Sequence, residues 1–201
     1  MADRPALILA SGSQSRKQML RGAGLEFDIK PADIDEEAIL QQMQQNGESH
    51  YSIVSILSMK KARHIAQQNT DAITIGSDQI LVHNDNILMK SPDQNQAAEK
   101  LRTLSGGAHH LISAVTIMQG DKILFQHTDE AKLHMHKLDD AMITSYINAA
   151  GDALTSTVGA YEIEGLGAWL FEKMDGDVYT ILGMPLLPLL SFLRTQGFYI
   201  S

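Results

Sequence analysis

The chain has 201 residues, of which 44% are hydrophobic and 20% charged, with a net charge of −8 at neutral pH and no cysteine. At that length about 70% of the unfolded surface can be buried, so a real core is available to one domain or to two lobes. The lack of cysteine excludes disulfides, thiolate catalysis and cysteine-bound zinc, the acidic balance argues against a nucleic-acid polymer across a broad face, and no run of about 18 apolar residues is present to span a bilayer. Oxygen ligands and histidine are left for any metal. Met1 to Pro5 has neither the basic segment nor the apolar run of a secretory leader, which makes the cytoplasm the expected compartment.

Residues 6–10 read as a buried strand that runs out into Ser11-Gly12-Ser13-Gln14-Ser15-Arg16-Lys17. Ser13 or Ser15 caps a helix over about 15–22, which Gly22 and Gly24 stop. Amides, hydroxyls and the Arg16 guanidinium at a helix start form the cradle that a phosphate requires, although Ser-Gly-Ser alone is also an ordinary turn. No Gly-x-x-x-x-Gly-Lys run exists, so this is not a P-loop. Phe27 to Lys30 is a second strand, and the acidic stretch Pro31 to Glu36 leads into a helix over 36–45 that Asn46-Gly47 ends. Asp33, Asp35 and Glu36 serve either as helix N-terminal acids or as metal ligands. A helix over about 50–68 carries Ile53, Ile56, Leu57 and Ile65 at helical spacing, with Lys60, Lys61 and Arg63 projecting from it. Strand Ile73–Gly76 then places Asp78 just past its end, where a carboxylate can hold a metal or take a proton from water.

Gln79–His83 and Ile87–Met89 flank the turn Asn84-Asp85-Asn86, and Lys90 follows directly. Asp93 caps a helix to about Leu104, and after Ser105-Gly106-Gly107 two long strands, about 109–119 and 122–137, pair around Gly120-Asp121. A helix from Leu138-Asp139-Asp140 to about 149, a Gly- and Thr-rich loop over 151–160, strands near 167–173 and 178–182, and a final helix from Pro185 to about Gln196 complete the chain. This order predicts an α/β fold with a mixed central sheet, a single domain over 1–201 that can form two lobes, with the cleft between them as ligand site. His109, His110, His134 and His136 read as exposed strand residues, and Trp169, Phe171 and Met184 as core.

One set of segments, in order, resembles the Maf family of nucleoside triphosphate pyrophosphatases: Leu9-Ala10-Ser11-Gly12-Ser13 with Arg16, Asp33-Ile34-Asp35-Glu36, Lys61-Ala62, Gly76-Ser77-Asp78-Gln79, Lys90 before Ser91-Pro92, Leu104-Ser105-Gly106, Gly159-Ala160-Tyr161, Glu164-Gly165-Leu166-Gly167 and Gly183-Met184-Pro185-Leu186. The resemblance runs from Leu7 to about Gly197. It implies a Maf/ITPase-like fold of two α/β lobes and hydrolysis of a nucleoside triphosphate, canonical or modified, to the monophosphate and pyrophosphate. A divalent cation (Mg, Mn or Co), a house-cleaning role, an association with septum formation and a homodimer belong to the same expectation. By position it makes Asp78 the proton acceptor, with Lys61, Lys90 and Glu36 completing the catalytic set. Ser11, Ser13, Arg16, Gln79 and Glu164 would bind substrate, and Asp78 and Glu36 the metal.

The chain departs from the family pattern in several places. Gln14-Ser15-Arg16 stands where many members have Pro-Arg-Arg, Ser77 where many have Ala, and Met89-Lys90-Ser91 where many have Gly-Lys-Pro. Ser156-Thr157-Val158 lacks a lysine often found there, and Glu162 and Glu164 replace the Gly and Gln of uridine- and thymidine-directed members. Two other readings stay open on the residues alone. One is a nucleotide-binding regulator of division without turnover; the other is a serine hydrolase on Ser11 or Ser13, for which no Gly-x-Ser-x-Gly elbow exists.

Overall fold

The computed structural model describes residues 5–199, so Met1–Arg4 in the leader reading lie outside the described residues. In chain order the elements are β1 (Leu7–Leu9), α1 (Gln14–Gly22), β2 (Asp28–Ile29), α2 (Glu36–Gln45), α3 (His50–Ala66), β3 (Ile73–His83), β4 (Asn86–Leu88), α4 (Gln94–Leu104), β5 (Ala108–Gln119), β6 (Lys122–Met135), α5 (Asp140–Ala150), α6 (Ala153–Ser156), a 3-10 turn (Leu166–Leu170), β7 (Phe171–Asp175), α7 (Val178–Ile181) and α8 (Leu186–Thr195). The strands form one sheet in the order β2-β1-β3-β5-β6-β7, with β4 added on β3. β1 runs parallel to β2 and β3, whereas β4 on β3 and β7 on β6 are antiparallel, which gives the expected mixed α/β sheet. Among the described residues no helix is long and apolar enough to cross a membrane.

The chain divides into two compact units. The first takes the residues up to Gln79, Ser113–Asp129 and the residues from Leu182 onward. Its core includes Ile8, Ala10, Ile65 and Ala72, and beside them Ala62, Ala66 and Met118. Gly76 decides how closely α3 lies on β3. A Cβ there would fall on the Ser58 carbonyl oxygen and 2.5 Å from the Ala62 nitrogen, so any side chain would push the helix off the strand. Buried hydroxyls fasten the same helix: Ser58 Oγ meets Thr116 Oγ1 at 2.7 Å, and Gln126 Nε2 donates to Thr116 Oγ1 at 3.0 Å and to the Ser55 carbonyl at 3.1 Å.

The second unit comprises Ile80–Ile112 and Glu130–Ile181. Leu81, Leu101, Leu104, Leu111, Leu133, Ile143, Leu154 and Tyr161 build its core. The β3–β4 hairpin turns at Asn84 and Asp85, whose φ of 49° and 64° suit a two-residue turn matched to the strand twist. Asp93 caps α4 as read from the sequence, accepting from Gln96 N at 2.8 Å, and within the expected Leu138-Asp139-Asp140 opening Asp139 caps α5, accepting from Met142 N at 2.7 Å.

Several expectations are corrected. β3 does not stop at Gly76 but runs on to His83, so Asp78 lies inside a strand. The loop at 151–160 contains the single turn α6. Residues 178–182 are not a strand: Gly176 at φ 130° breaks the extended run, and Asp177 Oδ1 accepts from Tyr179 N at 2.6 Å, starting the helical turn α7. Trp169 is 75% exposed, because in a 3-10 turn Gly167 and Leu170 share the inward side and leave it outside. His109 is fully buried.

Candidate active site

β1 ends at Leu9 and releases Ala10 to Ser13 into the start of α1, where Ser13 is the N-cap and its Oγ accepts from Arg16 N at 3.5 Å. That capping bond turns Arg16 inward. The guanidinium is buried; its Nη1 donates to Ser11 Oγ at 3.1 Å and its Nε to the Gly183 carbonyl at 2.9 Å. Ser11 Oγ also accepts from Ser13 N at 3.3 Å, and neither bond uses the hydroxyl proton, which stays available to an anion.

Gly76 and Asp78 stand two residues apart on β3 and so face the same side, the side on which α3 packs. The close seat of α3 at Gly76 brings Lys61, next to Ala62, onto Asp78. Lys61 Nζ donates to Asp78 Oδ1 at 2.5 Å and lies 3.0 Å from Glu36 Oε1. Lys61 was expected to project from its helix; instead it is buried, and only its neighbour Lys60 is exposed. Of Asp33, Asp35 and Glu36, Asp35 is the cap of α2, accepting from Ala38 N at 2.9 Å, and Glu36, its first residue, reaches Lys61 with half its side chain in solvent.

Two cations and two carboxylates thus share one largely buried cluster, and each tempers the other's desolvation. Burial pushes the Asp78 carboxyl above the ordinary carboxylate range, and Lys61 and Arg16 pull it back only in part. Burial likewise lowers Arg16, against the attraction of Asp78 and Glu36. A carboxylate raised in this way is more basic than one in water.

Gln79 follows on β3 and its Nε2 donates to Ser113 Oγ at 3.1 Å. The other two residues named from the sequence, Lys90 after β4 and Glu164 before the 3-10 turn, are exposed residues of the second unit. Sequence reasoning missed the support beneath Arg16. Ser77 Oγ lies 2.8 Å from the Ala114 carbonyl and 3.0 Å from the Gly183 carbonyl, so Ser77 and Arg16 converge on one backbone oxygen. Gly183 adopts φ 103°, a conformation that points to glycine, and Gly before Met-Pro was the only sign of it in the sequence. Among the described residues no group of three or more His, Asp or Glu is placed to hold a metal. Asp78 and Glu36 offer two carboxylates.

The profile described as Maf-like protein matches residues 6–196. The chain is 40% identical to a 7-methyl-GTP pyrophosphatase of Rhizobium meliloti, over 96% of this chain and 98% of the relative. It is 43% identical to a nucleoside triphosphate pyrophosphatase of Bradyrhizobium diazoefficiens, over 94% and 93%, and 44% identical to one of Nitrobacter hamburgensis, over 95% and 94%. Among solved structures, a HAM1 protein from Coxiella burnetii aligns with 82% of this chain and 97% of its own, at 15% identity and a TM-score of 0.43.

Proposed function

The chain belongs to the Maf-like protein family, and from that premise we propose that it is a nucleoside triphosphate pyrophosphatase that cleaves between the α- and β-phosphates, releasing the monophosphate and pyrophosphate. The observation that carries this reading is the charged cluster of buried Lys61, Asp78 and Arg16 with Glu36 at its solvent edge. A triphosphate brings about four negative charges, and its transition state needs placed cations more than covalent chemistry from the protein. Lys61 and Arg16 supply charge from the cluster, Ser11 a hydroxyl proton, and Lys90 a further cation. As Lys61 turns its hydrogen bonds to phosphate oxygens, Asp78 is left beside it as the base that takes a proton from the attacking water. Gln79 and Ser13 order the segments from which the other side chains reach.

The residues present fit a divalent cation such as Mg, Mn or Co. Asp78 and Glu36 already converge on one positive charge, the Lys61 ammonium, and one or two carboxylates joined by substrate phosphates is the donor set that magnesium takes. Bound there, the cation would neutralise phosphate charge and sharpen the acidity of water. For the base, an ionised Glu164 only accepts hydrogen bonds, so its partner is an edge of N–H donors such as guanine offers. The name of the Rhizobium relative makes 7-methyl-GTP the first substrate to try.

The test is pyrophosphate release from GTP, UTP and 7-methyl-GTP with each of the three metals, comparing wild type with Asp78→Asn. A fall of about 10²- to 10⁴-fold, the usual contribution of a positioned base, is expected with the melting temperature kept. Tight nucleotide binding without release by the wild type would favour a nucleotide sensor.

A further inference from the structure

α4 buries Ala97, Leu101 and Leu104 and puts Lys100 at the margin of that face, half-buried. The Lys100 ammonium does not end in solvent. It donates to the Met89 carbonyl and, at 2.9 Å, to the Val158 carbonyl. Among the described residues no carboxylate lies within ion-pair distance of it, so two peptide dipoles take the place of a counter-charge. Burial alone lowers it, to about 8, and no acidic side chain opposes that shift.

The two carbonyls belong to segments of different character. Val158 leads into Gly159-Ala160-Tyr161, which is held from several sides. Thr157 Oγ1 accepts from Tyr161 N at 3.0 Å and donates to the Ala153 carbonyl at 2.9 Å. Ala160 sits at φ 60°, and a Cβ on Gly159 would strike the Tyr161 ring, 2.7 Å from its Cζ. Met89, by contrast, is half exposed in the connection from β4 to α4, with Lys90 exposed directly after it. The Met89 carbonyl and the Lys90 amide lie in one rigid peptide plane, so holding the first orients the second.

We infer that Lys100 is a positioning residue for Lys90: its ammonium ties the Met89–Lys90 peptide to the braced 157–161 loop and thereby fixes where the Lys90 side chain starts. This rests on the reading above that Lys90 binds the triphosphate. Lys100 then acts on substrate affinity through Lys90 and takes no part in proton transfer.

The test is a double-mutant cycle on the full chain, with steady-state pyrophosphate release from 7-methyl-GTP and GTP and the melting temperature of every variant. Lys100→Met keeps the apolar stem and removes both donations; Lys100→Arg keeps donors and charge. The expected result is a KM raised roughly three- to tenfold in Lys100→Met, the size of one or two hydrogen bonds, with kcat little changed and KM largely restored in Lys100→Arg. Adding Lys100→Met to Lys90→Ala should raise KM no further. An unchanged KM in Lys100→Met, or a full additive loss on the Lys90→Ala background, overturns the positioning role while leaving Lys90 in place. If Lys90→Ala itself leaves KM unchanged, the role of Lys90 falls and this inference with it. A fall in melting temperature alone, with KM intact, reduces Lys100 to a loop staple.

Discussion

Each unit buries titratable groups, and each solves the resulting problem differently. In the first, Asp78, Lys61 and Arg16 lie buried together with Glu36 at the edge, and opposite charges compensate one another. In the second, His109 is fully buried against Tyr161 and Phe171, its Nε2 2.6 Å from the Tyr161 hydroxyl, and among the described residues no acid pairs with it. Burial therefore holds His109 uncharged, with its proton affinity lowered to about 4, and pushes the Tyr161 phenol upward. Desolvation acts on both regions alike; what differs is whether a partner of opposite sign was folded in. A charged cluster keeps groups that can exchange protons and grip anions, whereas a neutral pair contributes packing and one hydrogen bond.

The contrast can be broken most forcefully at Lys61. Lys61→Met strands Asp78 as a buried carboxylate without its nearest cation, which costs about 3–5 kcal/mol in comparable buried pairs. Turnover should drop at least as far as in Asp78→Asn, and the acid limb of the remaining pH–rate profile should move to higher pH, since the carboxyl loses a partner that lowers it. An acid limb that stays in place would mean that Lys61 does not hold Asp78 ionised.

In the second unit the corresponding experiment is acid itself. In the unfolded chain His109 takes a proton near pH 6.5, whereas the folded chain resists until about pH 4. Protonation thus favours unfolding in that window, and stability present above pH 6.5 is lost progressively as pH falls through it, by up to about 3 kcal/mol. Denaturant titrations from pH 7 to 4 should show this fall in the wild type and a shallower one in His109→Gln. Equal slopes would exclude His109 as their source.

The mildest perturbation is Ser77→Ala. It removes the hydroxyl beside the Ala114 and Gly183 carbonyls, leaving Arg16 as the remaining side-chain donor on Gly183. A loss of about 1 kcal/mol in stability and a few-fold rise in KM are expected from equilibrium unfolding and steady-state kinetics. A neutral result would show that Arg16 needs no such support.

Much of this architecture could be read from local chemistry. Ser13, Asp93 and Asp139 sit where helix caps must, and the hairpin at Asn84-Asp85 follows from residues that accept positive φ. The failures share a cause, since tertiary contacts overrode local preference. Gly76 and Asp78 look like strand breakers until α3 occupies the space beside Gly76 and cations compensate Asp78. Val178, Tyr179, Thr180 and Ile181 favour a strand, but Gly176 and Asp177 ahead of them set a helical turn. For His109 strand phase gives no signal, because β5 is buried on both faces from Leu111 to Met118, so its burial was not legible from the alternation. Arg16, Lys61, Glu36 and Asp78, each singled out in the sequence, lie in one cluster, yet their pairing was not legible, because it depends on how closely one helix lies on one strand.

The bond from Arg16 to the Gly183 carbonyl joins residues 167 positions apart. During synthesis, at about 5–20 residues per second, the arginine therefore waits roughly ten to thirty seconds for its anchor. Lys61 and Asp78, only 17 positions apart, can meet long before that. A chain interrupted before Leu182 would carry every charged member of the cluster and still lack the carbonyl that aims the guanidinium. Assembly of the cluster is in this way tied to completion of the polypeptide, and truncated products are denied a finished one.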